Sequence, residues 1–142
     1  SLNNSGVQKV STAKKLKLIH DYVVKTYSYR NNSHTLSAAA TNETRSVGYL
    51  MTHKEGCCES YAKMIKILCD YYQIPCVTVY SLTHMWNQVK IGNQWYLLDV
   101  TWDDEEPVIY TYFLTTACFP EIVYTNFPFV TEVTALLFLR AV

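Results

Sequence analysis

The sequence predicts an α+β domain, with helices in the first half of the chain and an antiparallel sheet in the second half. An amphipathic pattern indicates one helix from Thr12 to about Tyr27, and a more apolar pattern indicates another from Cys57 to about Tyr72. Strand-like runs follow, and two of them are separated by Gly92-Asn93, a pair typical of two-residue hairpin loops.

Length and charge exclude several classes of protein. The chain has 142 residues, 49% of them hydrophobic, and its 12 basic residues equal its 12 acidic ones. Nucleic-acid binders carry a basic surplus that neutralises phosphates, so we expect no nucleic-acid partner. No apolar stretch approaches the roughly 20 residues of a membrane span, and no signal peptide is recognisable. We expect one domain over residues 1–142; because Ser1 is not a natural start, we also expect missing flanking regions.

The first helix is predicted by a single apolar stripe, with lysines on its other faces. Ser11 or Thr12 is a plausible N-cap for it. Between residues 28 and 55 the pattern is weak, apart from a short helical turn at 38–40. The stripe consists of Leu16, Ile19, Val23 and Tyr27.

The second helix is expected to be almost entirely packed, with one thin polar face. Gly56 stands just before it and Pro75 follows it, and both are residues typical of helix boundaries. The polar positions recur every three or four residues, at Glu59, Lys63, Lys66, Asp70 and Gln73.

The strands follow from β-branched and aromatic runs. Residues 76–80 form one strand, and the hairpin joins residues 84–91 to 94–102. With a two-residue loop, Ile91 pairs with Gln94. The same register places His84 opposite Thr101 and Trp86 opposite Asp99. His84 and Asp99 then share a face as diagonal neighbours, with Cα atoms roughly 7 Å apart.

The remaining segments carry weaker expectations. Residues 103–107 are acidic and end in proline, which is typical of a solvated loop. Residues 108–114 are predicted to form a strand, and residues 133–139 a last strand or short helix. The five cysteines contain no Cys-x-x-Cys spacing, so we expect no structural zinc site and no cofactor.

A nucleophile, a base and an orienting acid occur in this order along the chain. A helix N-terminus stabilises a thiolate, and Cys57 and Cys58 both occupy that position. His84 and Asp99 supply an imidazole and the carboxylate that would hold its tautomer. A buried cysteine is more often a core residue, and a histidine in a strand is more often structural. The apolar stripes of the helix do not decide between the two cysteines.

Three blocks resemble the transglutaminase-like superfamily: Gly-Cys-Cys-Glu-Ser-Tyr-Ala at 56–62, Thr-His-Met-Trp-Asn at 83–87, and Trp-Tyr-Leu-Leu-Asp-Val-Thr-Trp-Asp-Asp at 95–104. The resemblance covers residues 16–114 and implies a papain-like fold, with the nucleophile's helix packed on the sheet. It also implies that Cys58 is the nucleophile, His84 the base and Asp99 the orienting carboxylate. It implies no metal, and no side-chain oxyanion donor is identifiable.

The resemblance implies acyl transfer from a peptide or glutamine amide through a cysteine thioester. Hydrolysis is our expectation and protein cross-linking the alternative; a non-catalytic interaction module on the same fold stays open. Ser60, Thr83 and Met85 depart from the family's usual residues. Family members are often exported or surface-bound, which makes an extracellular setting possible. Trp86, Asn87 and Trp102 are candidate site-supporting residues, although core packing is the simpler explanation for the tryptophans.

Overall fold

The computed structural model describes residues 5–30, 44–81, 84–115 and 124–125. It has helices on one side of an antiparallel sheet, so the α+β class is confirmed. The helices are α1 (Ser5–Thr26), α2 (Val47–His53), α3 (Cys58–Tyr71) and α4 (Val100–Asp103). The strands are β1 (Ser28–Tyr29), β2 (Glu55–Gly56), β3 (Cys76–Tyr80), β4 (Met85–Ile91), β5 (Gln94–Leu98), β6 (Phe113–Thr115) and β7 (Tyr124–Thr125).

Helix α1 is longer than the sequence pattern predicts. Its apolar stripe is buried as expected, but the helix begins at Ser5, so neither Ser11 nor Thr12 is its N-cap. The segment between Ser5 and Ser11 contains no proline, and Gly6 only weakens a helix. Nothing in the backbone therefore stops the helix where the stripe begins.

Helix α3 agrees closely with its prediction and is buried on most of its surface. It extends over Cys58–Tyr71, with Cys57 as its N-cap. We expected only one thin polar face of this helix to be exposed, but the apolar residues Ile67 and Tyr71 are exposed too. Helix α2, by contrast, was not predicted; it is a short helix that begins after Ser46, whose side chain accepts a hydrogen bond from the Tyr49 amide.

The hairpin register is confirmed by the structure. Strands β4 and β5 pair from Ile91 with Gln94 to Asn87 with Leu98. The expected pairing of His84 with Thr101 and of Trp86 with Asp99 is wrong. Asp99 leaves the ladder and becomes the N-cap of α4, where its side chain accepts from the Trp102 amide. A helix-capping hydrogen bond therefore replaces the last part of the predicted strand.

Strand β6 is also shorter than the predicted strand over 108–114; it begins at Phe113 and ends at Thr115, one residue beyond that range. The preceding backbone is held by other partners: the Ile109 amide donates to the Asp103 carbonyl, and the Tyr112 amide to the Asp103 side chain. The predicted turn at 38–40, Thr83, Cys118 and the element at 133–139 lie outside the described residues.

Five of the described strands form an antiparallel sheet in the order β6-β5-β4-β3-β7, and β1 and β2 form a separate parallel pair. Alternate residues of each strand face α1 and α3, and the main core lies there. The opposite face carries a second cluster around Trp86 and Leu97. Within the described ranges, no helix is long and apolar enough to cross a membrane. The main core includes Leu16, Val23, Tyr61, Ile65, Val89 and Leu98.

Replacing Gly56 by alanine is expected to destabilise the protein by about 1–3 kcal/mol, through overpacking at the entry to α3. An added Cβ would overlap the Ser60 hydroxyl and lie 2.8 Å from Leu50 Cδ1. The control is Gly48→Ala in helix α2, where the nearest atom is the Ser46 hydroxyl at 3.9 Å. That change is expected to stabilise by about 0.5–1 kcal/mol. Urea unfolding measures both, and equal stability of the two variants would contradict the steric argument.

Candidate active site

Cys58 is the first residue of α3 and is buried at the junction of the helix with the sheet. Its thiol lies in a small cluster with Ala62 and Met85. The preceding turn is held by Ser60, whose hydroxyl accepts from the Cys57 amide at 3.0 Å and donates to the Cys57 carbonyl at 3.0 Å. Ser60, a departure from the family pattern, therefore stabilises the backbone that presents the two cysteines.

The contact between the Cys57 and Cys58 side chains shifts the pKa values of the two thiols in opposite directions. The Cys58 thiol donates to the Cys57 sulfur, and the amides of Ser60 and Glu59 also donate to it. These bonds outweigh burial and lower the pKa of Cys57 to about 6. The same hydrogen bond, together with burial, raises the pKa of Cys58. The Cys57 thiol also lies 3.6 Å from the Thr44 carbonyl, to which it can donate, so the acidities of the two buried thiols depend on each other.

His84 and Asp99 are joined by a hydrogen bond of 2.6 Å between Nε2 and Oδ2, which confirms the predicted proximity. The carboxylate is fully buried and the imidazole is mostly buried. Because Asp99 accepts the Nε2 proton, Nδ1 is the ring nitrogen that can take a proton from a thiol. The other oxygen of Asp99 caps α4 at the Trp102 amide, which fixes the orientation of the carboxylate.

The histidine and the nucleophile helix meet through residue 85. The Met85 amide donates to the Cys58 sulfur, and this hydrogen bond opposes the rise in the pKa of Cys58. Met85 also packs against Cys58 and Ala62. In the part of the chain that the structure describes, no hydrogen bond joins Cys58 to His84 directly. The structure thus brings Cys58 and the His84–Asp99 pair together around Met85. The Cys58 thiol and the His84 imidazole are not hydrogen-bonded to each other in the described residues.

Two tryptophans flank the His84 ring. The Trp102 indole is stacked on it with ring centroids 4.9 Å apart, and Trp86 is nearly parallel to it at 5.7 Å. Trp86 is buried in the second cluster, whereas Trp102 is 39% exposed. Trp102 therefore forms a solvent-facing wall beside the imidazole, while Trp86 is mainly a core residue.

Asn87 lies on the helix-facing side of the sheet, away from the imidazole. Its amide donates to the Ala62 carbonyl at 2.9 Å and, at 3.4 Å, to the Val77 carbonyl. Ala62 is one turn after Cys58, so Asn87 fastens the nucleophile's helix to the sheet. Its role as a site-supporting residue stays a prediction.

A buried pair between α1 and α4, formed by His20 and Asp103, was not predicted from the sequence. His20 Nε2 lies 3.0 Å from the Asp103 carboxylate, and neither side chain is exposed to solvent. The signal was present: His20 falls between Leu16 and Val23 on the apolar stripe of α1. Asp103 was assigned to a solvated acidic loop, but it belongs to α4 and is buried; Glu105 and Glu106 are exposed as expected.

Comparison with known families decides what kind of domain this is. The model of the transglutaminase-like superfamily matches residues 3–100, more than half of the chain. The chain belongs to the transglutaminase-like superfamily. This is a family of cysteine-dependent enzymes.

Solved structures similar to this transglutaminase-like chain are distant. One is a candidate cysteine protease from Cytophaga hutchinsonii, with 21% identity and a TM-score of 0.45 over 68% of this chain and 37% of that one. Another is described as a TGase, with 10% identity and a TM-score of 0.47 over 94% of this chain and 39% of that one. The transglutaminase-like chain thus spans well under half the length of either. Among the curated proteins, none matches it significantly.

Proposed function

We propose that this chain catalyses acyl transfer from peptide or glutamine amides, with Cys58 as nucleophile, His84 as base and Asp99 as orienting carboxylate. The observation that carries the proposal is the His84–Asp99 hydrogen bond of 2.6 Å, formed beside the N-terminus of the helix that Cys58 begins. A buried carboxylate that fixes an imidazole next to a thiol at a helix N-terminus is the arrangement that thiol acyl transfer requires.

The reaction follows from this arrangement in two stages. The thiol proton of Cys58 passes to Nδ1 of His84 as the sulfur bonds to the amide carbonyl carbon. The carbon–nitrogen bond then breaks, the proton passes from His84 to the leaving amine, and a thioester remains. In the second stage His84 takes a proton from water, whose oxygen attacks the thioester and releases the acid and the thiol. We propose water rather than an amine as the second nucleophile, which makes the activity that of a peptidase or deamidase.

A second candidate function is an interaction module that retains the fold without turnover. The environment of Cys58 favours it, because its hydrogen bond with Cys57 and its burial raise the pKa of Cys58 and so lower the fraction of reactive thiolate. The two candidates differ in what happens when Cys57 is replaced by serine. Serine replaces the ionisable Cys57 sulfur by a neutral hydroxyl that can donate to the Cys58 sulfur, so a cause that raises the pKa of Cys58 is removed and the acyl-transfer proposal predicts a more reactive Cys58.

The test combines thiol labelling with turnover. Iodoacetamide labelling from pH 5 to 9, followed by mass spectrometry, is expected to show one thiolate in the wild type with an apparent pKa of about 6. With that pKa, labelling is already near its plateau at pH 7, is about half-maximal near pH 6 and decreases further at lower pH. In Cys57→Ser the label moves to Cys58, and His84→Ala slows that labelling.

Turnover is measured with glutamine peptides by ammonia release and peptide cleavage, with and without an added primary amine. Cys58→Ser is expected to abolish product, whereas Cys57→Ser retains it. Products that incorporate the amine in place of water would show cross-linking chemistry. If wild type and Cys57→Ser form no product, and Cys58 labels no faster than an ordinary thiol, the interaction module replaces the enzyme proposal.

A further inference from the structure

Helix α4 is a single turn that carries two contacts of the His84 ring. Asp99, its N-cap, is hydrogen-bonded to the ring, and Trp102 is stacked on it. A helix of one turn leaves most of its backbone groups without partners inside the helix and is not stable by itself. The position of α4, and with it the position of the imidazole, therefore depends on contacts with the rest of the chain.

The backbone of Tyr112 connects the two ends of α4. Its carbonyl accepts from the Asp99 amide at 2.9 Å, and its amide donates to Asp103 Oδ1 at 2.9 Å. The Tyr112 ring also contacts Trp102 edge-on, with ring centroids 5.0 Å apart. A shift of residue 112 would therefore reach the His84 ring by two routes, through the carboxylate and through the indole.

His20 of α1 holds the end of α4 that is opposite Asp99. Its Nε2 lies 3.0 Å from Asp103 Oδ2, and its Nδ1 lies 3.1 Å from Asp21 Oδ1. The His20 ring is fully buried and contacts Tyr110 and Phe113, on either side of the connecting backbone. The ring cannot turn without losing both polar contacts. Helix α1 thus fixes both the Asp103 carboxylate and the chain beside it.

We propose that His20 is a positioning residue for the acyl-transfer reaction, which sets the place of the His84 imidazole by holding Asp103 at the end of α4. The inference rests on the proposed function. His20 acts through Asp103 and Asp99 rather than on the substrate. Without its Nε2 donor, Asp103 Oδ2 would lose a partner in a position without solvent, so α4 would move to regain one. A misplacement of about 1 Å between reacting groups costs about 100-fold in rate.

The test compares two amide side chains at position 20. The side chain of His20→Gln ends near the place of Nε2 and can donate to Asp103, whereas His20→Asn reaches only as far as Nδ1 and loses that donor. For amide or ester hydrolysis, we expect kcat of His20→Asn to fall by about 10- to 100-fold, with little change in KM. We expect His20→Gln to recover most of this loss.

The control is Val23→Ala, at a fully buried position three residues later in α1. This change leaves a cavity and lowers stability without touching the contact with Asp103, so kcat is expected to stay at the wild-type value. All variants are compared at a temperature at which urea unfolding shows them to be folded. If His20→Asn does not fold, Asp103→Glu replaces it. The glutamate keeps a carboxylate for both donors, but its extra methylene displaces α4, so the same loss of kcat is expected.

A second readout does not depend on turnover. The proton that His84 Nε2 donates to Asp99 over 2.6 Å is expected to give a far-downfield NMR signal, as short charge-assisted hydrogen bonds do. This signal is expected to shift or disappear in His20→Asn and to stay in place in His20→Gln and Val23→Ala.

The outcomes separate this inference from the proposed function. An active wild type in which His20→Asn keeps both kcat and the His84 signal would overturn the positioning role. Equal losses in both His20 variants and in Val23→Ala would overturn it too, because they indicate a general loosening of α1. If the wild type shows no turnover and Cys58 labels as an ordinary thiol, the acyl-transfer proposal fails. The His84 signal then decides by itself whether His20 positions the imidazole.

Discussion

Asp99→Asn is expected to lower turnover by about 10³–10⁴-fold while the protein stays folded, by analogy with the loss of the orienting carboxylate in serine proteases. Within the described residues, the Asp99 carboxylate is hydrogen-bonded to the His84 ring and to the Trp102 amide. An asparagine keeps the shape but has one accepting oxygen, so it can cap α4 or accept from Nε2. The amide nitrogen facing the ring would favour the tautomer with the proton on Nδ1, which cannot take the thiol proton.

Single-turnover kinetics with an activated ester and urea unfolding together measure this prediction. The matched control is Asp104→Asn, which removes a neighbouring charge but retains an acceptor for the Tyr61 hydroxyl, now at 2.8 Å from the Asp104 carboxylate. We expect that control to keep its turnover. Asp99→Asn with turnover within a few-fold of wild type would show that the carboxylate is a structural partner of the histidine and no more.

His20→Ala is expected to destabilise the protein by about 3–5 kcal/mol, the cost of leaving one member of a buried ionisable pair without its partner. Among the residues that the structure describes, the Asp103 carboxylate would keep the Tyr112 amide as its remaining donor, at 2.9 Å, in a position with no solvent exposure. The ring also contacts Tyr110 and Phe113 with centroid distances of 5.0 and 5.2 Å, so the substitution removes packing as well.

Urea unfolding of His20→Ala, Asp103→Ala and the double variant measures the coupling between the two residues. We expect the double variant to lose much less stability than the sum of the single variants, because each single change already breaks the pair. A loss below about 1 kcal/mol for His20→Ala, the range of an exposed ion pair, would contradict the buried-pair interpretation.

Local patterns in the sequence determined much of the framework. The β-branched run at Cys76–Tyr80, the two-residue loop and the polar spacing of α3 each specify an element without reference to the rest of the chain. The hairpin register also brought His84 near Asp99, since loop length alone decides which residues lie opposite each other. These predictions were accurate because their causes lie within a few residues of one another.

The tertiary structure decided the features whose partners are distant in sequence. Strand β5 ends before Asp99 because the Asp99 carboxylate caps α4 and binds His84. The alternation of side chains along the predicted strand does not indicate these two contacts. The buried Asp103 carboxylate is paired with His20, 83 residues earlier, and with the Tyr112 amide, and the local sequence around Asp103 shows neither partner. The opposite pKa shifts of Cys57 and Cys58 depend on the contact between their side chains, and the packing of Tyr29 against Cys58 depends on the pairing of β1 with β2. A sequence pattern reports how often a residue is buried, whereas the protonation and role of a buried polar group depend on the groups that folding brings to it.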